Sequence, residues 1–319
     1  MIRVFNSNRM SVHSYLSAIK ENNPYLKYLW LLNLARRGEK ERENMTDVES
    51  IKHLYLQYSG RLPNLESPTL FSEKMQWMKL HYRNELMPIA GDKFTVRGYM
   101  ESLGYGYLLN DLIAVYDSVE GFDPNELPDR FVLKATHASG WNLIVKDKSK
   151  VNWSIWKKHL DYWLTHDIEW NGREWHYAYM TPRIVCEKYL EDDSGALVDY
   201  KFYCFDGEPR FLQVNVGRGT AKSTQNYYDL EWNLLPFGKS QPHNPELSVD
   251  QPCHFSEMIQ LAKDLTKPFP YVRFDLYEVQ GRIYFGEFTF FPCSGMPDFI
   301  PPEYDAIVGG MLNLPEANF

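Results

Sequence analysis

The sequence is short of cysteine, of long apolar runs and of basic charge, and each shortage excludes something. Its four cysteines, Cys186, Cys204, Cys253 and Cys293, show neither C-x-x-C spacing nor a nearby histidine pair, which argues against a zinc site. Three of them fall in apolar runs, where buried, reduced thiols are expected, as in a cytoplasmic protein. No stretch approaches the ~20 consecutive apolar residues of a membrane-spanning helix. The N-terminus lacks the charged start, apolar run and small-residue cleavage site of a secretion signal. A formal charge of −8 leaves no general basic face for a nucleic-acid backbone, so no nucleic-acid partner is expected. A Walker-type phosphate loop is missing too: FGKS at 237–240 has no glycine at the required distance before it, and no G-x-G-x-x-G follows a strand.

What the chain does have is apolar material, 44% of 319 residues, enough for two or three packed lobes. Its first 60 or so residues read as helical. Tyr25 to Gly38 forms an amphipathic segment ending at Arg36-Arg37 and stopped by Gly38, suited to internal packing or to docking on a membrane surface or partner. Helices are expected in SEKMQWMKLHYR and in GDKFTVRGYMESLGYG, the latter closed by Gly104 and Gly106. FVLKATHASGWNLIVKDKS reads as strand, small-residue loop, strand. VNWSIWKKHLDYWLTH reads as a helix with Trp153, Trp156, Leu160 and Trp163 on one face. PRIVCEKYLED is a strand, and VDYKFYCFDGEPRFLQVNVGR is a hairpin turning at Asp206-Gly207. A polar segment around 236–252 precedes the helix FSEMIQLAKDLTK and a last hairpin. This order of elements is α+β.

That last hairpin, YVRFDLYEVQGRIYFGEFT, carries two acids, Asp275 and Glu287, inside its aromatic and β-branched runs. Side chains alternate along a strand, so Arg273 and Asp275 share one face, and Glu287 and Thr289 share one on the return arm. A two-residue turn at Gln280-Gly281 pairs Val279 with Arg282 and separates the acids. A three-residue turn including Arg282, or a bulge with the same effect, pairs Asp275 with Glu287 and Arg273 with Thr289. Only that register gathers the four polar groups on one face, and it is the one expected. Two carboxylates opposed at about 5 Å repel each other, so a cation between them or a retained proton is required. Mg²⁺, which favours oxygen ligands and often binds substrate phosphates as well, suits the pair.

Other charges interrupt the strands. Lys134 ends one and precedes a loop with His137, Ser139 and Gly140, whose backbone N–H groups suit an anion. Asp92, Lys93 and Arg97 sit at a helix start, where Asp92 also fits a helix cap. Glu187 and Lys188 follow an apolar strand, and Asp199 and Lys201 share a face of the next, an arrangement that also fits a surface ion pair.

Taken in order, LFSEKMQWMKLHYRNELMPIAGDKFTVRGYM, FVLKATHASGWN, DYKFYCFDG and FGEFTFFPCSG resemble the TupA-like ATP-grasp proteins of bacterial surface-polysaccharide gene clusters, over roughly residues 67–310. The resemblance implies two α+β lobes clasping ATP behind an N-terminal helical extension. Residues 1–66 would form the helical region, 67–130 a preface or substrate lobe, 131–185 the small ATP-grasp lobe and 186–319 the large lobe with the metal site. It implies that Lys93 and Lys134 contact the ATP phosphates, that His137, Ser139 and Gly140 close over them, and that Glu187, Lys188 and Leu190 hold adenine. Asp199 would face the ribose or a metal-bound phosphate, and Lys201 the γ-phosphate. Asp275 and Glu287 match the Mg²⁺ carboxylates and Arg273 the residue steadying an acyl-phosphate. Thr289 stands where most ATP-grasp ligases have asparagine. The activity implied is an ATP- and Mg²⁺-dependent carboxylate–amine ligase joining an amino acid or amine to a uronic-acid-type glycan or precursor. It would work in the cytoplasm, with peripheral association at the inner membrane face or with polysaccharide assembly enzymes. The competing readings are a glycan phosphotransferase on the same fold, a sugar-nucleotide glycosyltransferase, which lacks its Asp-x-Asp motif here, and a degenerate nucleotide-binding or scaffold protein, for which Thr289 is the sole hint. In the polar stretch 217–243, Arg218 and Lys222 are candidates for the acceptor.

Overall fold

The computed structural model describes residues 23–191, 197–217, 223–239, 243–247 and 249–319. Two antiparallel sheets and the helices around them give an α+β architecture. Strands β1 (Leu112–Tyr116), β2 (Phe131–Ala135), β3 (Asn142–Val145) and β4 (Ile184–Lys188) form the smaller sheet in the order β1-β4-β2-β3. Its β1 was not expected from the sequence, and it comes from the stretch read as a preface. β4 runs on past residue 185, so the sheet's limits differ from 131–185.

Two helices cover this sheet, α1 (Pro24–Asn44) and, through the chain after β3, a tryptophan-rich helix at Trp153–Thr165. Leu160 and Trp163 of the latter are buried with Phe131, Leu133 and Cys186, and Leu31 and Ala35 of α1 join the same core. The Tyr162 hydroxyl donates to the Leu31 carbonyl at 3.0 Å. Gly38 does not stop α1, which continues to Asn44. A Cβ there would lie 2.3 Å from the Trp170 ring, so glycine is needed for close packing rather than for termination. Exposed Tyr25, Leu26, Leu29 and Trp30 remain on α1, and among the described residues no helix is long and apolar enough to cross a membrane.

After α1 come α2 (Asp47–Ser59), α3 (Phe71–His81), α4 (Leu86–Gly91) and α5 (Thr95–Ser102); Trp153–Thr165 is α6. α2 opens with a Thr46/Glu49 capping box and closes at Gly60, in the left-handed region. The larger sheet holds β5 (Asp199–Phe205), β6 (Glu208–Val216), β7 (Thr224–Tyr228), β8 (Tyr271–Val279) and β9 (Arg282–Thr289), in the order β7-β6-β5-β8-β9. β7 is an edge strand inside the stretch read as a polar loop. Phe202, Cys204, Leu212, Val214, Phe274 and Leu276 alternate onto one face, where α7 (Phe255–Thr266) buries Phe255, Met258 and Leu265 against them. α8 (Tyr304–Gly309) lies near the C-terminus, against α3. Two cysteines, Cys186 and Cys204, are buried, not three; Cys253 and Cys293 are exposed.

Both hairpins turn on two residues with positive φ, Asp206-Gly207 (49° and 79°) and Gln280-Gly281 (51° and 73°). The second turn is therefore not three residues long: Val279 pairs with Arg282. A bulge corrects the register. Leu276 pairs with Phe285 but Asp275 pairs with Glu287 and Arg273 with Thr289, so Gly286 is the extra residue. A side chain at Gly286 would bring its Cβ to 2.9 Å from the Asp275 carbonyl oxygen. Gly286→Ala is expected to cost about 1–3 kcal/mol of stability through this clash, read as a lower urea midpoint. An unchanged midpoint would mean that the bulge has room to relax.

Candidate active site

The face of the larger sheet turned away from α7 is polar, and Arg273 is at its centre. Its guanidinium donates to both oxygens of Asp275, at 2.8 and 2.7 Å, to Thr289 Oγ1 at 3.0 Å and to Glu287 Oε1 at 3.3 Å. Thr289 also donates to Glu287 Oε1 at 3.2 Å. On the neighbouring strand Lys201, in register with Asp275, donates to its Oδ2, and lies 3.7 Å from Asp199. Asp199 and Lys201 are thus a buried pair within this network, not a surface ion pair. The cation between the opposed acids is a guanidinium. Burial opposes its charge, yet Asp275 and Glu287 hold the proton on Arg273 firmly.

The two acids differ in access. The Asp275 side chain is 1% exposed and capped by two cations, whereas that of Glu287 is 39% exposed. Among the described residues no group of three or more His, Cys, Asp or Glu is gathered to hold a metal unaided. The accessible Glu287 carboxylate, with the Thr289 hydroxyl beside it, nevertheless fits Mg²⁺, a hard cation that takes one or two protein carboxylates and completes its shell with water and phosphate.

Glu287 and Gly286 form one wall of a cleft between the two sheets. Lys134 and Glu187 of the smaller sheet form the other, and Lys93 and Arg97 close one end. Lys134 donates to Glu187 Oε2 at 2.7 Å. Burial alone would raise the Glu187 carboxyl, but Lys134, with Arg97 and Lys93, holds it below its ordinary value. Lys93 donates to the Ala138 carbonyl at 2.8 Å. Burial pushes its pKa down, and Lys134 adds to this against the pull of Glu287. The cleft thus presents two close lysines and an arginine opposite a partly exposed carboxylate, a pattern that suits a polyphosphate with a divalent cation.

Lys93, Lys134, Glu187 and Glu287 therefore meet in one cleft, and Arg273, Asp275, Thr289, Lys201 and Asp199 continue from Glu287 as a bonded network. Other expected residues stand outside the cleft lining. Ser139 and Gly140 are exposed in the β2–β3 loop. His137 is buried, its Nε2 3.0 Å from the His166 carbonyl oxygen, so it anchors the loop to the end of α6. Lys188 is exposed and pairs with Asp111 at 3.1 Å, and its carbonyl accepts from Asn110 Nδ2. Leu190 is partly buried beyond β4. Arg218 and Lys222 lie outside the described residues.

Sequence reasoning missed Gln213 and Asn215, buried amides directly across from Lys201 and Asp199. Gln213 Oε1 accepts from the Tyr203 and Tyr227 hydroxyls at 3.1 and 3.0 Å, and Gln213 Nε2 donates to Asn215 Oδ1 at 2.7 Å. Their signal was legible as two amides at period two inside the apolar run FLQVNV. Arg97 had been singled out but given no role, and it lines the cleft while donating to the Asn110 carbonyl at 2.8 Å.

Asp275 and Glu287 are expected to separate in a stability measurement. Asp275→Asn leaves Arg273 and Lys201 buried without their shared counter-charge, a loss of about 3–5 kcal/mol, whereas Glu287→Gln should change the urea midpoint little. Equal losses would place Glu287 in the structural network as well.

No curated protein matches the chain. Similar solved structures include the D-alanine–D-alanine ligase of Bacillus anthracis complexed with ATP, at 16% identity and TM-score 0.39 over 63% of this chain and 55% of that one. The ATP-grasp ligase PsnB complexed with a minimal precursor, Mg and ADP aligns at 9% identity and TM-score 0.38, over 69% of this chain and 57% of that one. N5-carboxyaminoimidazole synthase of Aspergillus clavatus aligns at 11% and 0.38, over 65% and 45%. The chain thus spans little more than half the length of the first of these. The family model described as TupA-like ATPgrasp matches residues 73–313, most of the chain and all of the site described above. The chain belongs to the TupA-like ATP-grasp family.

Proposed function

We propose that the protein is an ATP- and Mg²⁺-dependent carboxylate–amine ligase that forms an amide through an acyl-phosphate. The observation that carries this reading is the pairing of Asp275 with Glu287 around Arg273, with Glu287 lining the same cleft as Lys93 and Lys134. Phosphoryl transfer asks little covalent chemistry of a protein and much electrostatic positioning. This cleft is rich in the second, and its described lining residues include no nucleophile–base pair.

In this reading Lys93 and Lys134 neutralise the phosphates, with Ser139 and Gly140 folding over them on a loop that His137 anchors. Glu187, Lys188 and Leu190 hold adenine at the junction of the sheets. Glu287 with Thr289, and Asp275 behind them, hold Mg²⁺, which when bound neutralises phosphate oxygens. Lys201 and Asp199 lie toward the γ-phosphate and ribose. A substrate carboxylate attacks the γ-phosphorus and ADP leaves; the amine then attacks the acyl carbon and phosphate leaves. Arg273 steadies the charge on the transferring group. Thr289 serves as a hydroxyl ligand or donor. The carboxylate belongs to a uronic-acid-type sugar or glycan of surface-polysaccharide assembly, and Arg218 and Lys222 are the residues we assign to it from the sequence alone. The exposed apolar side chains of α1 suit contact with the inner membrane face or an assembly enzyme.

The reading is tested with ATP, Mg²⁺, a panel of uronic acids and hydroxylamine, which intercepts an acyl-phosphate without needing a base. ADP and a hydroxamate are expected together. Phosphate transferred to the sugar without any hydroxamate would replace the ligase by a phosphotransferase. Lys134→Ala should weaken nucleotide binding by about tenfold or more, the scale of a charge-assisted contact. Lys146→Ala, at an exposed position beyond β3, should leave it unchanged.

A further inference from the structure

α1 packs on the smaller lobe with one face and leaves the other outside. The inner face is fixed: Leu31 and Ala35 are buried in the core beneath it, and Gly38 lies against the Trp170 ring. On the outer face Tyr25, Leu26, Leu29 and Trp30 are between 41% and 57% exposed. Large apolar side chains gathered at a surface in this way mark an interaction site.

The same stripe changes character toward the C-terminal end of the helix. In steps of three and four residues Leu26 and Leu29 lead to Asn33, Arg36 and Lys40, with Trp30 and Arg37 beside them. Asn33, Arg36, Arg37 and Lys40 are all exposed. Arg42 is turned inward to Asp167, whereas among the described residues Arg36, Arg37 and Lys40 pair with no acid. The acids of the helix are placed elsewhere: Glu41 accepts from Ser50, and Glu39 and Glu43 fall on the adjoining flank. α6 adds two exposed lysines, Lys157 and Lys158, next to His159, whose Nε2 is 2.7 Å from the Pro24 carbonyl oxygen at the start of α1. In a chain of formal charge −8 the outer face is thus apolar at one end and cationic at the other.

We propose that this face of α1 docks on an anionic lipid bilayer, with Leu26, Leu29 and Trp30 entering the interface and Arg36, Arg37 and Lys40 resting on phosphate headgroups. The inference does not need the ligase reading, and it commits to lipid a face that otherwise fits either a membrane or an assembly enzyme. Charge selects the occupant. A second copy of this chain would set like charges against each other, whereas a surface of lipid phosphates complements all three cations. Tryptophan and leucine beside arginine and lysine on one helix face is the composition of helices that lie in a bilayer interface. Leu26 and Lys40 are about 20 Å apart along the axis, so α1 lies flat for both ends to reach the surface.

Docked in this way the smaller sheet keeps its cleft accessible. Phe131 and Leu133 point into the core under α1 and α6, and Lys134 alternates to the opposite face of the sheet, where it lines the cleft with Glu287. Lipid and nucleotide therefore approach the lobe from opposite sides.

Flotation of the full-length protein with vesicles, in the absence of nucleotide, tests this apart from any catalysis. Binding is expected to vesicles of equal parts phosphatidylcholine and phosphatidylglycerol, to weaken at high salt, and to be slight on phosphatidylcholine alone. The variant Arg36→Gln/Arg37→Gln/Lys40→Gln should bind the anionic vesicles about a hundredfold more weakly, the product of about fivefold for each cation removed. Leu26→Ser/Leu29→Ser should weaken binding by about tenfold or more. All five positions are exposed, so both variants should keep the thermal midpoint and the nucleotide affinity of the wild type. No binding to the anionic vesicles would overturn the proposal and leave the face to a protein partner. Equal binding to both kinds of vesicle, or binding that neither variant weakens, would overturn it as well. Hydroxamate formation by the wild type decides the ligase reading and has no bearing on either outcome.

Discussion

The Arg273 guanidinium is the constraint on which the site depends. Two carboxylates on adjacent strands would repel, and the sheet would gain nothing from pairing them. With Arg273 bonded to Asp275, Glu287 and Thr289, the same pairing becomes cohesive. Lys201 then makes the network asymmetric, because it caps the acid that is already buried and leaves the other half-open to the cleft. One carboxylate becomes part of the framework and the other stays available to a ligand.

Much of the remaining architecture follows from the need to hold a second charged surface opposite this one. The smaller sheet brings Lys134 and Glu187 to face Glu287, and α5 and the turn before it bring Arg97 and Lys93 to the end of the cleft. Lys134 and Glu187 are neutralised by each other. A polyphosphate entering the cleft would exchange that internal contact for one with the ligand, so the pair keeps a lysine ordered without leaving it bare. The helical extension supports the smaller sheet: α1 packs on α6, and Gly38 gives way to the Trp170 ring.

How much of this was legible in the sequence depends on whether the signal was local. The first turn was legible as Asp206-Gly207, whereas at Gln280-Gly281 a three-residue turn or a bulge was expected; the helices α3, α5, α6 and α7 followed from periodicity. The pairing of Asp275 with Glu287 was derived from the demand that four polar groups share a face, and the structure meets that demand with a bulge at Gly286 rather than a longer turn. Nothing in the strand pattern distinguishes those two solutions, because both shift the register by one. Gly38 was misread because a helix-stopping glycine and a close-packing glycine look alike until the partner ring is known. Strand β1 was missed because its partner, β4, is distant in sequence, and β7 because its run TQNYY shows no clear apolar alternation, although its partner β6 directly precedes it. The division of labour between the two acids was not legible either, since the neighbour that caps Asp275 comes from β5, some 70 residues away.

The most direct test of the central claim is calorimetric titration of a non-hydrolysable ATP analogue with and without Mg²⁺, on the wild type and on Glu287→Gln. The account predicts that Mg²⁺ strengthens binding to the wild type and adds nothing for the variant, while the Mg²⁺-free affinity is unchanged or improved by removal of a repelling charge. An equal gain from Mg²⁺ in both proteins would contradict it.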